Sequence, residues 1–198
     1  MTTTPSRSAI TGLGAMAGFT GIALGLGAIN RLVALALDRT MEVRLEATPS
    51  AGASVASDAG DLPLTETLTV AVPVGELATS TVAVLATADL VLALGALAAT
   101  FLFATALNHV VDSRLDSHRG VRLLTATLVT LAATFVVSGV GSMVGAALAT
   151  GDLGLTKFDN GITFTTILAA LGALGVVWML RHVLTRALRA EAETEGLV

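Results

Sequence analysis

The chain has 198 residues, of which 54% are hydrophobic and 13% charged, with a mean hydropathy of +0.82. That profile belongs to membrane proteins and excludes an ordinary water-soluble domain, while a formal net charge of -4 gives no basis for a nucleic-acid partner. Cysteine is absent, which excludes disulfides, thiolate metal sites and thiol nucleophiles.

The first segment is short and polar, with one positive charge at Arg7. Residues 9–30 then run without a charge and are long enough to span a bilayer of about 30 Å at roughly 1.5 Å per residue. A secretory signal peptide is the rival reading, because Ala34-Leu35-Ala36 resembles a cleavage site. Signal cores run only about 7–15 residues, and here Arg31 interrupts the run before the site, so the segment reads as a retained first span over about 9–36. Within it Gly14, Gly18, Gly21 and Gly25 recur at steps of four, three and four, which puts all four on one helix face. In lipid such a face lets a neighbouring backbone approach closely; packing against another span of the same chain is the expected use, and a dimer interface is the alternative.

Residues 38–77 form the only sizeable polar segment and are expected to be an external loop. Met41, Val43 and Leu45 alternate with Glu42, Arg44 and Glu46, the period of a half-buried strand. Thr65, Thr67 and Thr69 alternate with Leu68, Val70 and Val72 up to Pro73, a second strand. Residues 48–63 between them are rich in Ser, Ala, Gly and Asp and read as a flexible linker. Two strands alone are marginal in water, so this ribbon should lean on the helices or on a partner.

Residues 79–108 and 122–150 read as the second and third spans, joined by a turn carrying His109, Asp112, Arg114, Asp116, His118, Arg119 and Arg122. The histidines and carboxylates of that turn match no compact metal-ligand spacing, and a solvated surface turn explains them. Residues 151–160 read as a short loop, and 161–181 as a fourth span with Phe158 and Phe164 at one interface and Trp178 at the other. A basic helix follows and ends in an acidic tail, 182–198. With the N-terminus inside, the cytoplasmic segments hold Arg7, Arg114, Arg119, Arg122, Arg181, Arg186 and Arg189, and the external ones only Arg39, Arg44 and Lys157. The positive-inside rule therefore puts both termini in the cytoplasm. The expectation is an all-α membrane protein: one integral domain, a four-transmembrane-helix bundle with a small extracytoplasmic β-ribbon between the first and second spans.

Asp89 carries the most information, because a carboxylate inside a span is costly and faces the interior, where it finds a partner. Arg31, near the outer end of the first span, is the candidate partner, and the two are read as an intramembrane charge pair. Gly141 and Gly145, in a glycine-rich stretch of the third span, are read as helix packing and not as a dinucleotide fingerprint, since no strand precedes them. Ser138 and Ser142 have no histidine at membrane depth to act as a base. No catalytic, cofactor-binding or metal-binding residue is therefore assigned, and no cofactor is expected.

The closing stretch VLTRALRAEAETEGLV, residues 183–198, resembles the tail of a bacterial family of four-span membrane proteins of unknown function. Thr194, Glu195, Gly196, Leu197 and Val198 match that family's acid-rich ending, and the order of spans, the external loop and the basic turn are similar. The turn departs from it: the Gly-x-Pro-Phe element common there is absent from residues 111–122. Members are often encoded beside small helix-turn-helix regulators, so the resemblance implies a regulatory or sensory role in a bacterial cytoplasmic membrane. The expected function is a non-enzymatic interaction or regulatory partner of another protein, acting through the external ribbon or the cytoplasmic face. The alternative is a small transporter or channel subunit that uses Asp89. Partner identity and oligomeric state are not encoded in any motif.

Overall fold

The computed structural model describes residues 7–47, 54–57, 60–63, 67–112, 117–155, 158–160 and 164–195. Four long helices dominate: α1 (Arg7–Leu37), α2 (Thr79–Asp112), α3 (Ser117–Asp152) and α4 (Phe164–Glu195). Five short strands accompany them: β1 (Thr40–Ala47), β2 (Ser54–Ser57), β3 (Gly60–Pro63), β4 (Thr67–Pro73) and β5 (Phe158–Asn160). Among the described residues, three helical segments are long and apolar enough to cross a membrane: Gly18–Leu37, Thr79–His109 and Arg119–Asp152. In α4 the apolar stretch found among the described residues is the shorter Ala170–Val183; the start of the expected fourth span, 161–163, and the side chains of several residues before Ala170 lie outside the described residues.

Threonine is common in these helices without being a liability. The hydroxyls of Thr87, Thr100, Thr105, Thr125, Thr127, Thr134 and Thr185 each donate to the carbonyl four residues back, at 2.7–2.9 Å. A helix in hydrocarbon must satisfy its polar groups internally, and this back-bonding does so without a partner helix.

The chain divides into two compact units, each assembled from separated stretches. One comprises Gly27–Leu92 and Val136–Leu168. In it β1 lies between β4 and β5 in a three-stranded antiparallel sheet, with Val43 opposite Val70 and Glu46 opposite both Thr67 and Asp159. The alternation in β1 has a direct consequence: Met41 and Val43 are buried while Glu42 and Arg44 are exposed. With Val72 of β4, they pack on Leu77, on Leu85 of α2 and on Ala146 and Ala149 of α3. The sheet thus rests on helix ends, which supplies the apolar support that two strands lack alone.

Two features of this unit differ from the sequence reading. Residues 48–63 are not linker throughout: β2 and β3 pair as an antiparallel hairpin, Val55 opposite Leu62. Runs of four residues among Ser, Ala, Gly and Asp are too short for a period of two to register. Likewise the loop after α3 contains β5, which adds a third strand to the ribbon; three residues show no alternation at all.

The end of α3 is set by Gly154, whose φ of +63° is the left-handed geometry that closes a helix. Its N–H donates to the Gly151 carbonyl (3.2 Å) and the Leu155 N–H to that of Thr150 (2.9 Å), and Leu155 turns into the apolar cluster under the sheet.

The other unit comprises Met1–Leu26, Ala93–Phe135 and Ala169–Val198. Phe103 and Ala106 of α2, Leu124 of α3 and Val177 of α4 form its apolar centre, with Leu107, Leu123 and Leu180 around them. The α2 side facing this centre is built from Ala93, Ala96, Ala99, Phe103 and Ala106, all buried. Short side chains bring helix axes close where no hydrophobic effect drives them together, so dispersion contacts hold the unit.

Candidate functional site

Arg31 and Asp89 meet within the unit that carries the sheet. Arg31 lies six residues before the end of α1, about 9 Å along the axis, and Asp89 ten residues into α2, about 15 Å. Arg31 Nε donates to Asp89 Oδ1 at 2.8 Å, and Nη2 donates to the same oxygen at 2.6 Å. The side chains keep only 21% and 15% of their surface exposed. A carboxylate and a guanidinium here each remove the other's unpaired charge, and the single-oxygen geometry leaves Oδ2 without a hydrogen bond among the described residues.

A second carboxylate was not foreseen. Asp152, in the last turn of α3, accepts from the Ala78 N–H (2.9 Å) and from the Thr81 hydroxyl (2.7 Å). It therefore caps the start of α2 from a neighbouring helix, satisfying an N–H that has no partner in its own helix. The signal was present as an acid at the end of the third apolar run, but which helix start it would reach depends on packing. Thr81 itself is 1% exposed.

The glycines fall into three groups. A β-carbon at Gly21 would collide with the Thr100 hydroxyl, and one at Gly25 would lie 3.2 Å from Leu97 Cγ, so both positions press on α2. In α3 a β-carbon at Gly141 would come within 2.9 Å of Ala88 Cβ, and one at Gly145 would overlap Leu85. Gly18, on the same predicted stripe, has open space around it, and the surroundings of Gly14 lie outside the described residues. Sequence reasoning missed Gly95 of α2, where a β-carbon would overlap the Thr134 side chain of α3. It lacks a glycine neighbour at helical spacing on its own helix, so no stripe marks it.

Between them α2 and α3 leave a shallow groove of about 280 Å³ lined by Ala83, Val84, Thr87, Ala88, Val137 and Gly141. Its polar hydroxyl, that of Thr87, is already bonded to the Ala83 carbonyl. Among the described residues no three His, Asp or Glu side chains gather around a common point. Of the basic turn, 113–116 and the side chains of Asp112 and His118 lie outside the described residues, as do residues 196–198 of the tail. No protein-family model, curated protein or solved structure matches the chain.

Proposed function

We propose that the chain is a four-span protein of the bacterial cytoplasmic membrane, both termini inside, that acts as a non-enzymatic interaction or regulatory partner of another protein. The observation that carries this reading is the closed Arg31–Asp89 pair: the intramembrane carboxylate is engaged by a cation of its own chain. A charge so engaged serves assembly of α1 with α2 more readily than passage of an ion. Outside the membrane, the sheet offers Glu42, Arg44, Thr69 and Ala71 to solvent, a polar face on a supported platform. The resemblance of the tail to a family encoded beside transcriptional regulators points the same way.

Site-specific photocrosslinking in cells tests the proposal. A photoreactive residue at Glu42 or Thr69 should give one discrete adduct with a second protein, and one at the lipid-facing Phe101 should give none. The transport reading wins if no such adduct forms and proteoliposomes show an ion flux that Asp89→Leu abolishes.

A further inference from the structure

The residue before Arg31 points the other way. Ala28 of α1 is completely buried, and Asn30 lies two residues on, about 200° round the helix. Asn30 is accordingly exposed on the side of α1 opposite its packed face, and its carboxamide makes no hydrogen bond among the described residues. It lies seven residues, about 10 Å, inside the end of a segment long and apolar enough to cross a membrane. Unlike the threonines, it does not bond back to its own helix. Unlike a lysine or arginine, it is too short to reach the interface from that depth. An amide facing hydrocarbon without a partner is strongly unfavourable, so the exposed side of α1 is incomplete as it stands.

We infer that Asn30 is the centre of a homotypic contact, in which α1 of a second copy of this chain lies parallel to α1 of the first. The carboxamide selects that occupant by its own chemistry. It carries two N–H donors and one acceptor oxygen, so it is complementary to itself. Two copies inserted with the same topology place their Asn30 residues at the same depth, and a two-fold axis brings each against the other. A lipid tail offers no such partner.

The flanking residues fit. Val33 and Leu37 follow Asn30 at steps of three and four, the spacing of a helix–helix seam, and are 44% and 77% exposed. Gly27, one turn before Asn30, has nothing within 4 Å of where a β-carbon would stand, which lets a second backbone draw near. The inward-facing glycines Gly21 and Gly25 are occupied by α2 and take no part. The inference requires only that α1 crosses the membrane, and it holds whichever reading of the function is right.

The test uses the full chain reconstituted at low protein-to-lipid ratio. Since the chain has no cysteine, single substitutions report proximity cleanly. Val33→Cys and Leu37→Cys should form disulfide-linked dimers on mild oxidation, and Leu90→Cys, exposed on α2, should not. Adding Asn30→Leu to Val33→Cys should lower the cross-linked fraction at least five-fold while leaving the melting temperature unchanged, because leucine suits a lipid-facing position. Asn30→Gln should retain most of the cross-linking. Cross-linking indifferent to Asn30→Leu, or equal at Leu90→Cys, overturns the inference. Independently of any variant, subunit counting on the wild-type chain should give two, and a monomer at every dilution overturns it.

Discussion

Arg31 and Asp89 show why charges set within long apolar helices come in pairs. Either one alone would be a largely buried, unpaired charge, and together they form two short hydrogen bonds. Removing one partner should therefore cost more than removing both. We expect Arg31→Leu or Asp89→Leu singly to destabilise by about 3 kcal/mol, and the double variant by less than either, read as melting temperatures in mild detergent. Simple addition of the two losses would show that the contact contributes nothing. Gly154 gives a second residue-scale expectation. Its positive φ is free for glycine and costs a side-chain-bearing residue roughly 1–2 kcal/mol, so Gly154→Ala should destabilise by about that amount and Gly154→Asn by less. Equal melting temperatures for all three would mean that the closing turn of α3 adopts another geometry.

At the scale of elements, close packing of α2 against its neighbours depends on positions that have no side chain to spare. Gly21→Leu should lower the melting temperature clearly, because its side chain would displace Thr100 and hold α1 off α2, whereas Gly18→Leu should be nearly silent in its open surroundings. Gly95→Leu should behave like Gly21→Leu, through Thr134. Equal losses at Gly18 and Gly21 would remove the argument. The contrast also shows what can be read from a sequence. Glycine periodicity marks a face of α1 but not how far along it the neighbour extends, so Gly18 and Gly21 look alike until the contact is seen. The strands behave similarly. Met41 and Val43 announced β1 because seven or eight residues suffice for alternation, while β2, β3 and β5 are too short to carry a period. Arg31 and Asp89 are placed at similar depth by the lengths of the runs around them. The Asp152 cap on Ala78 and Thr81 is not, since it joins residues more than seventy apart whose meeting depends on the packing of α2 on α3.

For the whole molecule, the number of membrane crossings turns on α4. Among the described residues three helical segments are long and apolar enough to cross; in α4 the described apolar stretch is the shorter Ala170–Val183, which contains Arg181 and is followed by Arg186 and Arg189. By the positive-inside rule those arginines favour a fourth crossing that would deliver them to the cytoplasm, the side to which the same rule assigns Arg114, Arg119 and Arg122. Cysteine labelling separates the two cases. Gly75→Cys, exposed and uncrowded between β4 and α2, should react in intact cells with a membrane-impermeant maleimide. Ser117→Cys, at the start of α3, should react only after the cells are opened. A cysteine appended after Val198 should follow Ser117→Cys if α4 crosses, and Gly75→Cys if it does not. Labelling of Ser117→Cys in intact cells would instead invert the entire topology, putting the arginine-rich segments outside against the charge rule. The charge count makes the first pattern the expected one: seven arginines gather on the segments assigned inside, and the external segments hold two arginines and one lysine.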